Sequence, residues 1–288
     1  MRHIIPISGK DSLATALVQT AYEPNHNYEY FVNIVSKELP PFYDWLDLAE
    51  KHLNASIYRI GEDLGKITKG KGILPNSNTR FCTQLAKIKP MENWIGDSET
   101  IIYYGLRADE QMRVGYQQSK ENITAKYPLR EHGITLPAVW AILEAKNLLP
   151  PAFIFNEVIE GAKIQMGDDF TITKKLLPWH YNKLFSWRTR PFNCYDCFFM
   201  RQYEFIGLSI YYPEEFEKAC IIEETTGADN YTLREGYTLR ELAKRKDEVI
   251  EKRISRVVSV LYQLAQKNIF EELPDELETI SCGLLCGK

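Results

Sequence analysis

The amino-acid sequence predicts an α/β protein built on a doubly wound, mostly parallel sheet with helices on both faces. Apolar segments with strand and helix periodicity alternate through the first hundred residues. Short polar stretches follow several of these strands, and 44% of the chain is hydrophobic, enough for one sizeable core. Alternation of this kind is typical of sheets that bind ligands beyond the carboxyl ends of their strands.

Four strands and two helices are predicted in this first part. The strands are expected at residues 4–7, 29–35, 56–60 and 100–104, which are short and rich in β-branched or aromatic residues. The helices are expected at residues 13–21 and 42–53. The second helix carries a regularly spaced apolar face formed by Phe42, Trp45, Leu46, Ala49 and Leu53. Polar stretches at residues 8–12, 36–38 and 105–107 should therefore converge on one crevice.

The pattern changes after residue 126. A helix is predicted with Pro137 in its first turn and with Val139, Trp140 and Leu143 facing inward. Residues 150–190 are rich in Pro, Trp and Phe and are expected to form loops over the site. Helical spacing between residues 238 and 270 predicts a C-terminal helix or helix pair. We accordingly predict an α/β domain over residues 1–148 and a helical, cysteine-containing region over residues 149–288.

Charge and hydropathy exclude several classes of protein. The formal net charge is −4, so no overall basic field indicates nucleic-acid binding. No apolar run approaches the roughly 18 residues of a membrane span. Because the N-terminus enters a strand almost at once, no signal peptide is expected. These features predict a cytoplasmic location and no membrane partner.

The turn SGKDS, residues 8–12, has the composition of an anion-binding site at a helix N-terminus. Gly9 allows close backbone approach, while Ser8, Ser12 and the first helical N–H groups donate hydrogen bonds. Lys10 supplies a cation for phosphate oxygens. Asp11 would repel a polyphosphate unless it caps the helix or holds Mg²⁺. An ordinary strand–helix turn with Asp11 as its N-cap is the alternative interpretation.

Five stretches, taken in chain order, resemble the PP-loop ATP pyrophosphatase superfamily and its phosphoadenosine phosphosulfate (PAPS) reductase branch. SGKDS resembles the S-G-G-x-D-S PP-loop shortened by one glycine. RFCTQLAKIKP (80–90), YYGLRADEQMR (103–113) and YPLREHGITLPAVWAIL (127–143) resemble motifs of the PAPS reductase branch. NCYDCFFMRQYEFIGLSIYYPEEFEKA (193–219) resembles a stretch of sulfur-transfer members, DNA phosphorothioation enzymes included. Together they extend from residue 4 to about residue 220.

The resemblance implies an adenine nucleotide α-hydrolase-like fold of the HUP type and an adenine nucleotide along the strand ends. Its phosphates would lie on residues 8–12, with Arg107 as a phosphate clamp beside Gly105. Arg80 and Lys87 are further candidate nucleotide ligands. We expect the reaction itself to rest on Lys10, Asp11 and Arg107, which position and neutralise the phosphates.

The cysteines indicate a metal centre. Cys194-x-x-Cys197 and Cys282-x-x-x-Cys286 form two close pairs, a spacing that suits a tetrahedral site for Zn²⁺ or an iron–sulfur cluster. The resemblance also places Cys82 where cluster-binding relatives carry ligands. Cys82 is therefore a substitute candidate alongside Cys194, Cys197 and one tail cysteine.

Three functions fit the sequence. The first is an enzyme that cleaves ATP-Mg²⁺ to AMP and pyrophosphate, adenylating an acceptor for transfer of sulfur or a similar nucleophile. The second is a PAPS reductase that uses the C-terminal Cys282, and the third is a non-catalytic nucleotide-binding module of a larger assembly. Asp11 and the paired cysteines favour the first. Its acceptor could be a nucleic acid or a small molecule, and its sulfur donor could be another protein.

Overall fold

The protein contains a five-stranded, all-parallel sheet in the order β3-β2-β1-β4-β5. The structure is a computed structural model and describes residues 1–35, 38–76, 79–115, 120–188, 194–226, 232–233, 236–267 and 270. The strands are β1 (Arg2–Pro6), β2 (Tyr28–Asn33), β3 (Ile57–Ile60), β4 (Thr100–Tyr103) and β5 (Ile123–Lys126). The predicted parallel α/β architecture is confirmed, and β5 is an additional strand that the sequence analysis did not identify.

The described part of the chain contains thirteen α-helices. In chain order they are α1 (Lys10–Tyr22), α2 (Pro40–Leu53), α3 (Leu64–Lys71), α4 (Phe81–Thr83), α5 (Lys89–Ile95), α6 (Pro128–Glu131), α7 (Leu136–Glu144), α8 (Asn156–Met166), α9 (Pro178–Phe185), α10 (Gln202–Tyr211), α11 (Pro213–Thr225), α12 (Leu239–Lys244) and α13 (Lys246–Lys267). A π-helical segment, Gln84–Ile88, joins α4 to α5, and a 3₁₀ segment, Gly167–Lys175, follows α8. None of these helices is both long and apolar enough to cross a bilayer.

Helices cover both faces of the sheet, as alternation along β2 shows. Tyr30 and Val32 belong to a core formed with buried residues of α1, α2 and α7. Phe31 points to the opposite face and packs in a second core with Met91 and Ile95 of α5. Successive residues of a strand face opposite sides, so this division defines the two layers of helices.

The prediction of loops over residues 150–190 is wrong. This stretch forms α8, the 3₁₀ segment and α9. In α8, Val158, Ala162 and Met166 recur every four residues and bury one face, a helical signal masked by neighbouring Pro and aromatic residues. Pro178 occupies the first position of α9, where its missing N–H costs nothing. The predicted C-terminal helix pair is confirmed as α12 and α13.

The C-terminal helices share a third core that also includes residues from the first half of the chain. Phe155, Phe185 and Leu261 are fully buried within it, and Leu39 and Leu74 from the first half of the chain join them. The indole of Trp45 donates a hydrogen bond to the backbone carbonyl of Leu148 at 2.9 Å. Leu148 belongs to a core of the sheet and Phe153 to the helical core, and the division into two domains near residue 148 stays a prediction.

Candidate functional site

The SGKDS turn links β1 to α1 at the carboxyl edge of the sheet. The Ser12 hydroxyl accepts hydrogen bonds from the backbone N–H groups of Ser8 (2.7 Å) and Gly9 (3.0 Å). It donates its own hydrogen to the Gly9 carbonyl at 2.9 Å. The Ser12 hydroxyl therefore holds the turn in shape. The N–H groups in the first turn of α1, which begins at Lys10, have no partner within the helix.

Asp11 is held by two cations, one of them distant in the sequence. Lys10 Nζ lies 2.7 Å from Oδ2 of Asp11, and Arg107 Nη1 lies 3.1 Å from Oδ1. Burial acts to raise the pKa of Asp11, but the charges and hydrogen bonds of Lys10 and Arg107 outweigh it and hold this pKa below its usual range. Asp11 is therefore a carboxylate, and the predicted convergence of residues 8–12 with residues 105–107 is confirmed.

Arg107 is anchored by a small set of acidic groups. Its side chain is 13% exposed and contacts Asp109 at 3.0 Å and Glu110 at 3.7 Å in addition to Asp11. Burial lowers the pKa of Arg107, and the three carboxylates more than restore it, so the guanidinium remains charged. A cation with this many carboxylates around it is positioned before any ligand arrives.

Gly105 allows the end of β4 to approach the first turn of α1. A Cβ atom at Gly105 would lie 2.7 Å from the carbonyl carbon of Asp11 and 2.8 Å from the backbone nitrogen of Ser12. These are backbone atoms that no side-chain rotation can move. Packing against the turn therefore requires a glycine at position 105.

Three of the predicted metal-binding cysteines line one pocket. Cys82, Cys194 and Cys197 line a small pocket together with Lys87 and Asp196. Among the described residues, no group of three or more His, Cys, Asp or Glu side chains is arranged to hold a metal ion. Cys282 and Cys286 lie outside the described residues. The metal centre stays a prediction, and the pocket favours the set that includes Cys82.

Arg80 and Lys87, the other predicted nucleotide ligands, are associated with this cysteine pocket. Lys87 is part of its wall. The Arg80 guanidinium lies 4.9 Å from the ring of Phe199, close in sequence to Cys197, and its buried Nε and Nη2 atoms have no hydrogen-bond partner. Their assignment to the nucleotide stays a prediction, while their positions connect them with the cysteines.

Glu38 is a buried acidic residue whose role the sequence analysis did not identify. Residues 36–38 were expected at the crevice, but 36 and 37 lie outside the described residues. The Glu38 carboxylate is 8% exposed and lies 4.0 Å from the buried guanidinium of Arg188. Burial raises the pKa of Glu38 to about 7 against the opposing effects of Arg188 and Lys87. The only feature of the sequence that indicates a role for Glu38 is that this acidic residue comes shortly after a predicted strand.

The raised pKa of Glu38 predicts a dependence of stability on pH. Between its ordinary pKa and about 7, the folded state holds a proton that the unfolded state has released. Through this group, the free energy of unfolding should fall as pH rises towards 7, by at most about 1.4 kcal/mol per pH unit. Denaturant titrations of the wild type and Glu38→Gln at several pH values measure this slope. A Glu38→Gln variant with the wild-type slope would contradict the assignment.

Comparisons with protein-family models, curated proteins and solved structures give no match to the chain.

Proposed function

We propose that the protein binds ATP-Mg²⁺ at residues 8–12 and cleaves it to AMP and pyrophosphate, adenylating an acceptor for sulfur transfer. The observation that supports this most strongly is the contact between Asp11 and Arg107, with Gly105 packed on the same turn. A helix N-terminus, two cations and a carboxylate that can face a metal ion are the groups that polyphosphate cleavage needs. A PAPS molecule has no β,γ-pyrophosphate, so a PAPS reductase would have no such group for Asp11 and Mg²⁺ to bind.

Each group at the turn has a defined role in this proposal. The first N–H groups of α1 would bind phosphate oxygens, and Lys10 and Arg107 would neutralise the departing pyrophosphate. Asp11 supplies carboxylate oxygens of the kind that Mg²⁺ prefers, and it would exchange its present cations for the metal ion. When bound, Mg²⁺ would neutralise negative charge on the phosphates. The protein therefore contributes position and charge and needs no general base of its own at the phosphate.

The proposed reaction has two steps, adenylation of the acceptor and transfer of sulfur to it. An acceptor oxygen attacks the α-phosphorus, forming an oxygen–phosphorus bond as the bond to pyrophosphate breaks. A sulfur nucleophile then forms a bond to the activated acceptor carbon, and AMP leaves with the acceptor oxygen. The cysteine pocket lies at the same edge of the sheet, since its lining residue Val35 closely follows β2. Its thiols suit Zn²⁺ or an iron–sulfur cluster, with a tail cysteine as the remaining predicted ligand.

Product analysis tests the proposed function. The full chain is incubated separately with ATP-Mg²⁺ and with PAPS, and AMP, pyrophosphate and sulfite are measured alongside calorimetric binding of both nucleotides. We expect ATP-Mg²⁺ binding that Asp11→Ala weakens, and equal amounts of AMP and pyrophosphate when an acceptor is present. Sulfite formation that requires Cys282 would instead establish PAPS reduction. Absence of binding to either nucleotide would overturn the proposal.

Removing pocket cysteines should remove the metal. We expect protein purified without oxygen to contain zinc or iron, and Cys82→Ser and Cys194→Ser each to lose most of it, because a tetrahedral site is left one ligand short. Elemental analysis and the ultraviolet–visible spectrum measure the loss and distinguish zinc from an iron–sulfur cluster. Cys220→Ala is the matched control, since Cys220 is fully buried in α11 and outside the pocket. Full metal content in Cys82→Ser would exclude Cys82 as a ligand.

A further inference from the structure

Asn33, the last residue of β2, carries a buried amide group that makes no hydrogen bond. Both its Nδ2 and its Oδ1 atoms are buried without a partner. Among the described residues, it is the only side chain with both a nitrogen and an oxygen atom left in this state. An unsatisfied buried amide destabilises the folded protein and therefore needs an explanation.

The strand register places Asn33 beside the SGKDS turn. Pro6 of β1 pairs with Phe31 of β2, and the N–H of Ile7 donates to the Phe31 carbonyl at 2.7 Å, so β1 and β2 end side by side where the turn begins. Asn33 is the register partner of Ile60, the last residue of β3. Its amide is thus at the carboxyl edge of the sheet, one strand away from the proposed phosphate site.

The two strands that flank β1 differ in charge at this edge. On the β4 side stand Arg107, Asp109 and Glu110, which suit phosphates and a metal ion. On the β2 side the strand ends at the uncharged amide of Asn33, and the first described charged residue after it is Glu38, which lies 4.0 Å from the buried guanidinium of Arg188. With its phosphates on α1 and next to Arg107, a nucleotide would extend its uncharged end towards β2.

We infer that Asn33 is a specificity-determining residue that hydrogen-bonds the amino edge of the adenine base. An asparagine amide offers one acceptor and one donor face, which match the 6-amino group of adenine and its adjacent ring nitrogen. A site built to hydrogen-bond a group rejects an analogue that lacks it, because its own polar atoms then stay unpaired. This inference rests on the proposed function, since it concerns the same nucleotide.

Calorimetry with two nucleotides tests the inference. ATP-Mg²⁺ is compared with the Mg²⁺ complex of purine riboside triphosphate, which lacks only the 6-amino group. Wild-type protein should bind ATP about 5- to 150-fold more tightly, the range for one bidentate base contact. Asn33→Leu, which is similar in shape but apolar, should bind the two nucleotides almost equally and be at least as stable as the wild type.

Asn122→Leu is the matched control, because the Asn122 amide donates to Ser98 at 2.9 Å and to Gly96 at 3.2 Å. It should lose stability and keep the wild-type preference for ATP. If the wild type prefers ATP and Asn33→Leu keeps that preference, the inference alone is overturned. A marked loss of stability in Asn33→Leu would also contradict it, by showing that the amide is already satisfied. A wild type that binds neither nucleotide overturns the proposed function itself.

Discussion

Replacing Arg107 with methionine is expected to weaken ATP-Mg²⁺ binding by roughly 10- to 150-fold, as measured by calorimetry. This range corresponds to the ~1.5–3 kcal/mol that a hydrogen bond to a charged group contributes. Methionine keeps much of the length of the side chain but removes the cation that meets Asp11 at 3.1 Å. Asp11 keeps its contact with Lys10, so the fold should tolerate the change.

Arg113→Met is the control for Arg107→Met. Arg113 lies in the same loop and pairs with Glu110 at 2.6 Å, and its side chain is 30% exposed. Removing it takes away the same charge near the same nucleotide without touching Asp11. Equal losses of affinity in the two variants would mean that overall charge, rather than the position of Arg107 beside the turn, determines binding.

Gly105→Ala should be the more damaging change. The added Cβ would lie 2.7 Å from a backbone atom of Asp11, so the first turn of α1 must move. Overpacking of this kind costs about 1–3 kcal/mol of stability. Displacement of catalytic groups by about 1 Å can cost a hundredfold in rate, so AMP formation should fall on that scale. Thermal unfolding and the product assay measure the two effects separately.

Gly70→Ala provides the matched comparison for Gly105→Ala. Gly70 lies in α3, and a Cβ atom there would meet nothing within 4 Å. Alanine should therefore stabilise that helix by up to about 1 kcal/mol and leave AMP formation unchanged. Normal activity and stability in Gly105→Ala would show that the turn is not packed against β4 in the way described.

The sequence predicts most of the α/β half because its signals are local. Helix α2 buries a face that recurs at helical spacing, formed by Phe42, Trp45, Leu46 and Ala49 as expected, whereas α1 is buried over most of its length. Strand β5 escaped prediction because ITAK is four residues long and carries no clear alternation. In α8 the apolar face is real but sparse, and neighbouring Pro and aromatic residues obscured it.

The candidate site likewise contains some residues that could be predicted from the sequence and others that could not. Gly105 and Arg107 could be predicted because parallel strands bring their carboxyl ends to one edge whatever the details of packing. Glu38 and Arg188 could not, since they are 150 residues apart and meet only through tertiary packing. The sequence predicts that Asn33 lies inside a strand over residues 29–35. Two features of the structure distinguish Asn33 from an ordinary strand residue: β2 ends there, and its side-chain amide is buried.

Hydrogen–deuterium exchange tests most directly whether ATP-Mg²⁺ binds at the SGKDS turn. The amide hydrogens at the start of α1 should exchange slowly once phosphate oxygens bind them, and residues 105–107 should be protected with them. We expect ATP-Mg²⁺ to slow exchange in peptides that cover these two segments in the wild type, and much less in Asp11→Ala. Protection confined to other parts of the chain, with residues 8–12 unchanged, would contradict the proposed site.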